Sequence, residues 1–251
     1  MDEFRLDNQV GLITGGGTGL GFGIATCMVR AGAKVILIGR REDVVKSAAE
    51  KLGPAATFAQ YDVTRMHEAP ALLSRVSKPF GPVSILVNNA GINLKKPAME
   101  TTEDEMTQLM NTNVIGAHAL TRAAAPAMIE RKRGSIIFIA SAASLFGIPY
   151  VVAYSAAKTA LIGVVRTLST ELSPHGVRVN AIAPGWIESE MSATAMRNDP
   201  KRYERVLERT PLGRFGKPDD VGYAAVYLCS RAASFVTGST LVVDGGISMG
   251  F

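Results

Sequence analysis

The chain has 251 residues, 47% of them apolar, a net charge of +5 and two cysteines; it can bury one large α/β core, and no apolar stretch approaches the roughly 20 residues needed to span a membrane. Basic residues alternate with acids rather than forming one stripe, which argues against nucleic acid as a partner. Cys27 and Cys229 make no CxxC pair and have no histidine cluster beside them, so neither a zinc site nor a disulfide framework is expected.

The opening, MDEFRLDNQVGLIT, is acidic and reaches a strand at once, which reads as a cytoplasmic protein without a signal segment. In chain order, short β-branched runs predict strands over Val10–Thr14, Lys34–Gly39, Ala56–Tyr61, Ser84–Asn88, Ser135–Ala140, Arg178–Ile182 and Thr240–Val243. Between them, helices are predicted over Leu20–Ala31, Glu42–Leu52, Glu68–Lys78, Glu103–Glu130, Val152–Ser173 and Pro218–Ser230. Such alternation predicts repeated βαβ units around a parallel sheet, in one domain spanning 1–251. The segment Trp186–Gly216 breaks the rhythm, being long, mixed in charge and neither a strand nor one helix; it follows a strand end and is read as a substrate lid.

The first strand runs into TGGGTGLG, at Thr14 to Gly21, and then into a helix. Glycines at 15, 19 and 21 let the backbone approach a pyrophosphate at the positive helix end, so Gly15, Thr18, Gly19, Leu20 and Gly21 are candidate dinucleotide contacts. The end of the second strand chooses the dinucleotide, because an acid there would hold the ribose hydroxyls and repel a 2′-phosphate. Gly39 occupies that place, and Arg40 and Arg41 follow with guanidinium groups suited to a phosphate dianion. NADP(H) is therefore expected, with NAD(H) possible. Asp62 and Val63 close the third strand, where a carboxylate can accept from an adenine amino group and a valine can pack on the ring. Asn89, Ala90 and Gly91 close the fourth, small enough for a cofactor to lie against the backbone.

Tyr154 and Lys158, four residues apart in YSAAK, lie on one helix face, so an ammonium there can favour the ionised phenol. Of six tyrosines, only Tyr154 has a lysine four places on. Ser141, just past a strand end, offers a hydroxyl to a substrate carbonyl; Asn113, a poor helix former inside a long predicted helix, can hold a water leading to Lys158.

Together TGGGTGLG, Asp62-Val63, NNAG, the NVIG run from Asn113, Ser141, YSAAK, and Pro184-Gly185 followed by Ile187 and Ser189 resemble the short-chain dehydrogenase/reductase family over essentially the whole length. The resemblance implies a doubly wound, seven-stranded Rossmann sheet with helices on both faces. It further implies Tyr154 as acid/base, Lys158 on the nicotinamide ribose and lowering the tyrosine pKa, Ser141 orienting the carbonyl, and Asn113 supporting a proton relay. Pro184, Gly185, Ile187 and Ser189 would lie along the cofactor, with the backbone near Ile187 on the carboxamide, and the assembly would be a homotetramer. Ser189 stands where the family usually has Thr, keeping the hydroxyl.

The expected reaction interconverts a ketone and a secondary alcohol. The tail from Pro211 to Gly246 resembles both 3-oxoacyl-carrier-protein reductases and sugar-acid or polyol dehydrogenases such as gluconate 5-dehydrogenase. For the first, whose substrate would be thioester-linked, Arg131-Lys132-Arg133 can supply a basic surface to an acidic carrier, although the run also suits a helix C-terminus. For the second, Arg202, Arg205 and Arg209 in the lid are available to a carboxylate. The balance tips to a 3-oxoacyl-type or small-ketone reductase. The glycine turn also resembles 2,4-dienoyl-CoA reductases, which generally lack YxxxK, and a dinucleotide sensor without catalysis would be expected to lose Tyr154 or Lys158 first.

Overall fold

The computed structural model of the chain describes residues 2–189 and 200–249. Seven strands form a single parallel sheet: β1 (Val10–Thr14), β2 (Lys34–Gly39), β3 (Ala56–Gln60), β4 (Ile85–Asn88), β5 (Gly134–Ile139), β6 (Val177–Pro184) and β7 (Thr240–Val243), in the order β3-β2-β1-β4-β5-β6-β7. The helices are α1 (Gly19–Arg30), α2 (Glu42–Leu52), α3 (Ala69–Val76), α4 (Glu103–Met110), α5 (Gly116–Glu130), α6 (Val152–Leu172), α7 (Pro200–Arg209) and α8 (Pro218–Cys229).

Near-continuous apolar strands are what a sheet covered on both faces requires. Alternate residues feed two cores. Leu12, Ile36, Leu86 and Phe138 pack with Leu72 of α3, Leu120 of α5 and Leu161 of α6. Ile13, Val35, Val87 and Ile137 face the other way, against Ile24 of α1, Val45 of α2 and Val221 and Leu228 of α8. Cys27 and Cys229 are buried and unbridged in that second layer, and burial pushes their thiols up to about 11 and about 12.

Two departures from the sequence expectation lie near the site. The helix expected over Glu103–Glu130 is interrupted: α4 starts with a capping box between Thr102 and Glu105 and gives way to a π-helical turn over Asn111–Ile115 before α5 begins. That turn carries Asn113, and wide turns of this kind are a frequent mark of functional sites. The lid contains α7, and Ile187 forms an isolated parallel bridge with Gly216 at its base; the rest of the expected lid, residues 190–199, lies outside the described residues.

The chain winds from β1 outward to β3, then crosses back to place β4 on the other side of β1. Loops after β1 and β4 therefore diverge at the carboxyl edge of the sheet and leave a crevice between them, where open α/β sheets bind ligands.

Candidate active site

The glycine turn after β1 closes tightly. Gly15 and Gly19 have φ of +64° and +51°, a region L side chains seldom adopt. Gly21, one turn into α1, has no room for a β-carbon, which would strike the Gly15 carbonyl oxygen and lie 2.6 Å from Asn89 Nδ2. The crevice is then fastened across β1 and β4. Thr14 Oγ1 accepts from the backbone N–H groups of Asn89 at 3.0 Å and Ala90 at 2.9 Å, and Asn89 Nδ2 donates to the Thr14 carbonyl at 2.8 Å. Asn89 thus shapes the glycine turn as well as facing the crevice.

Above this edge lies a cavity of about 830 Å³. Its lining includes Gly15, Thr18, Gly19, Leu20 and Gly21 from the turn; Arg40 and Arg41 after β2; Asp62 and Val63 after β3; Asn89, Ala90 and Gly91 after β4; Ser141; Tyr154 and Lys158; and Pro184, Gly185, Ile187 and Ser189 after β6. Of the catalytic and cofactor-binding residues expected from the sequence, Asn113 is the one absent from that lining. It is 1% exposed and sits behind the wall.

Asp62 illustrates how the cavity's charges are held. Burial by itself pushes its carboxyl up, but hydrogen bonds from the Thr64 N–H at 2.9 Å and hydroxyl at 2.8 Å, with the charges of Arg40 and Arg65, hold it below the usual carboxylate range. Arg40 is thereby placed within electrostatic reach of a carboxylate while remaining exposed, and its carbonyl accepts from Gln60 Nε2 at 2.8 Å.

At the other end, Ser141 ends β5's extension and its hydroxyl accepts from the Ala143 N–H at 3.1 Å, so it caps a short turn as well as hydrogen-bonding Tyr154. Lys158, 4% exposed, donates from Nζ to the Ile139 carbonyl at 2.7 Å and lies 5.7 Å from the centre of the Tyr154 ring. Burial depresses this ammonium from 10.5 to about 8. Tyr154 is also moved, in the opposite sense to the expectation: loss of water around the phenol raises its pKa, and the Ser141 hydrogen bond only partly offsets this. A lysine one turn away therefore does not by itself yield an acidified tyrosine; a buried, partly discharged ammonium is a weak partner for a phenolate.

Asn113 makes a two-way clamp. Its Oδ1 accepts from the Ile92 N–H at 2.8 Å and its Nδ2 donates to the Ile92 carbonyl at 3.0 Å. A side chain on Gly91 would lie 3.1 Å from Asn113 Oδ1 and 3.5 Å from Lys158 Nζ, so the glycine leaves those two groups facing each other with no side chain between.

Sequence reasoning passed over several residues of the cavity. Gly17, Val44 and Val45 pack beneath the turn, and Ile92, Asn93, Lys95, Thr112, Ile148, Val151 and Trp186 also line the cavity. Of these, only the position of 92–95 directly after NNAG carried a signal. The lid arginines behave differently from the expectation. Arg209 lies over the Phe146 ring at 5.6 Å, Arg205 donates to the Lys201 carbonyl, and neither lines the cavity; Arg202's side chain lies outside the described residues.

Comparison with known proteins gives these residues a context. A family model described as enoyl-(acyl carrier protein) reductase matches residues 15–248. The chain is 36% identical to gluconate 5-dehydrogenase of Gluconobacter oxydans, covering 99% of this chain and 98% of the relative. It is 35% identical to a 3-oxoacyl-[acyl-carrier-protein] reductase of Chlamydia muridarum, covering 97% and 98%. A gluconate 5-dehydrogenase from Burkholderia cenocepacia, solved with NADP and tartrate, superposes with a TM-score of 0.95 at 34% identity over 100% of this chain and 99% of that one. With the glycine turn, Ser141, Tyr154 and Lys158 gathered on one cavity in that same fold, the chain belongs to the short-chain dehydrogenase/reductase family.

Proposed function

We propose that the protein is an NADP(H)-dependent oxidoreductase that interconverts a ketone and a secondary alcohol, and that it can also accept NAD(H). The observation that carries the reading is the meeting of a glycine turn, two arginines and a Ser141–Tyr154–Lys158 cluster on one continuous cavity wall. Relatives with matching whole-chain coverage are named for this chemistry, and one was solved with NADP bound.

The residues fit a dinucleotide. Gly19 is open, the nearest atom to any added β-carbon being Ser189 Cβ at 3.5 Å, so a pyrophosphate can approach its backbone. Arg40 and Arg41 line the cavity just beyond β2 and suit a 2′-phosphate, Asp62 and Val63 suit the adenine, and Pro184, Gly185, Ile187 and Ser189 line the stretch towards Tyr154. When bound, the reduced cofactor supplies the hydride.

The chain's own part is to hold the carbonyl and to move a proton. Ser141 and Tyr154 hydroxyls converge on the carbonyl oxygen, and the Tyr154 phenol gives its proton to the developing alkoxide. A phenol pushed up by burial is well suited to remain protonated until that charge develops. Lys158, with a pKa of about 8, can exchange a proton near neutrality and resupply the tyrosine, and Asn113 stands across Gly91 from it as the next polar group inward. Asn113 thus contributes to the relay and anchors Ile92.

The 3-oxoacyl and sugar-acid branches divide on the surface as well as in the cavity. Arg131, proposed to meet an acidic carrier, donates from Nη2 to the Val83 carbonyl at 2.7 Å, leaving Lys132 and Arg133 as the remaining cations of that run. The run precedes β5, whose opposite end leads to Ser141. A homotetramer in the cytoplasm completes the proposal; no described helix is long and apolar enough to cross a membrane. The test is oxidation of NADPH and of NADH, side by side, with a 3-oxoacyl thioester and with 5-ketogluconate. Turnover with either supports the reaction class, and its absence across ketones of both kinds, with no NADPH binding, overturns it.

A further inference from the structure

We infer that Lys96 and Glu105 are positioning residues for Tyr154: their ion pair holds the stretch of chain that fastens the start of α6, and so sets where the phenol stands. The inference rests on the reaction proposed above and adds two residues to it.

Tyr154 lies in the first turn of α6, the least secured part of a helix, because the N–H groups there have no acceptor within the helix. Val151, just before α6, has φ of −131° and ψ of 37° and supplies no side-chain cap. Tyr150 has a φ of +69°, which a tyrosine adopts only where its surroundings impose it. A helix begun earlier would give the Tyr150 carbonyl the N–H of Tyr154, four residues on. Because α6 starts later, that carbonyl is turned to the Lys96 N–H, at 2.7 Å. The residue between, Val151, is buried, lines the cavity and accepts from the Ser155 N–H at 2.8 Å, so a shift at Tyr150 passes directly into the turn that carries Tyr154.

Lys96 is in turn held by one helical run that grips the segment Ile92–Lys96 at both ends. At the first end, Asn113 of the π-helical turn accepts from the Ile92 N–H at 2.8 Å and donates to its carbonyl at 3.0 Å. At the second, Glu105 of α4 takes Lys96 Nζ on both carboxylate oxygens, at 3.0 and 3.1 Å. Glu105 also accepts from the Thr102 N–H at 2.8 Å, in the capping box of α4. The side chains of the pair are 30% and 29% exposed, so water screens them less than it would a surface pair.

Neither Lys96 nor Glu105 lines the cavity. Their influence on the reaction therefore runs through Tyr150 and the first turn of α6. A misplacement of about 1 Å can cost about a hundredfold in rate, and a loosened fastening that leaves α6 in place should cost less.

The test follows NADPH oxidation with 5-ketogluconate and with a 3-oxoacyl thioester in the wild type, Lys96→Met, Lys96→Arg, Glu105→Gln and the Lys96→Met/Glu105→Gln double variant. Glutamine keeps the capping box, so Glu105→Gln removes the charge without removing the cap of α4. Lys96→Met should lower kcat about tenfold and Glu105→Gln somewhat less, with KM for the ketone and NADPH affinity by fluorescence titration nearly unchanged. Lys96→Arg should keep most of the rate. The double variant should be no worse than Lys96→Met, because residues acting as one pair are not additive. Hydrogen exchange should quicken in the peptide covering Tyr150 to Lys158 and stay unchanged in β1 and α1. An unchanged kcat in Lys96→Met, or losses that add in the double variant, overturns the inference while ketone reduction stands. A fall in kcat matched by an equal loss of NADPH affinity, with exchange quickened throughout, marks general loosening and overturns it too. Failure of the wild type with both ketones overturns the proposed reaction, and a positioning role in that reaction with it.

Discussion

At the glycine-turn end of the cavity, shape comes from the backbone: positive φ at Gly15 and Gly19, a missing β-carbon at Gly21, and the Thr14–Asn89 fastening across β1 and β4. The charges there, Arg40, Arg41 and Asp62, lie at strand ends near water. At the Tyr154 end the reverse holds. Side chains rather than backbone define the surface, and two of them, Tyr154 and Lys158, are displaced from their ordinary pKa values by burial. Damage at the first end should therefore appear as lost structure or lost cofactor affinity, and damage at the second as lost turnover.

The largest effect is expected from Tyr154→Phe, which removes the proton donor and keeps the ring. Its kcat should fall about a thousandfold, within the range assigned to a positioned acid or base, with NADPH affinity nearly unchanged in a fluorescence titration. Unchanged turnover would remove Tyr154 from the mechanism.

Gly21→Ala should show the opposite pattern. The added methyl meets the Gly15 carbonyl oxygen and lies 2.6 Å from Asn89 Nδ2, an overpacking that costs about 1–3 kcal/mol and displaces the turn. Thermal unfolding should come earlier and NADPH binding should weaken together with it. Gly19→Ala, whose methyl meets only Ser189 Cβ at 3.5 Å, should cost the smaller strain of its positive φ, about 1 kcal/mol. Equal losses in the two variants would mean that the turn is set by something other than this close approach.

Replacing Arg40 and Arg41 together by Ala should weaken NADPH by roughly ten- to a hundredfold, and NADH far less. Because both guanidinium groups are exposed, the difference should shrink as salt is raised. Equal losses for both cofactors would end the 2′-phosphate argument.

The two ends also differed in how well the sequence disclosed them. β1, β2 and β7 fall where the apolar runs placed them, as does α2; for β1 and β2, buried on both faces, the unbroken apolar runs leave few alternatives. The glycine turn was legible for a similar reason: it is a local sequence with a local conformation. Ser141, Tyr154 and Lys158 were visible as a pattern, but the direction of the Tyr154 shift was not, since it depends on burial by residues far along the chain. The same limit hid the clamp on Ile92: nothing local in the sequence after NNAG shows that Asn113, on a distant helical turn, holds the Ile92 N–H and carbonyl together. The π-helical turn escaped for a related reason, being a break in a helix whose apolar spacing runs on through it. Cations were sought in the lid, at Arg205 and Arg209, because charge can be read from sequence and direction cannot.

The smallest effect sharpens the comparison most, because it asks whether burial at the Tyr154 end carries a measurable cost. Lys158 keeps a pKa of about 8 in the folded protein against 10.5 for a free lysine. Below pH 8 both folded and unfolded chains carry the charge, and burying it costs the full difference, about 3 kcal/mol. Between pH 8 and 10.5 the folded chain sheds the proton first, so stability rises with pH, and above 10.5 the cost is gone. Lys158→Met removes that cost but also the Nζ hydrogen bond to the Ile139 carbonyl, worth about 1.5–3 kcal/mol while charged. Near pH 7 the variant should therefore be more stable than the wild type by about 1 kcal/mol, although inactive, as expected of a site that holds a charge for function at the expense of stability. Raising the pH should close the gap and reverse it between about 8 and 10.5, as the cost falls below the worth of the lost hydrogen bond. Denaturant unfolding of both proteins across that range reads the crossing directly. A variant less stable at every pH would show that the site accommodates the ammonium without strain, and that Lys158 meets neutrality as a full charge rather than as a group able to pass its proton on.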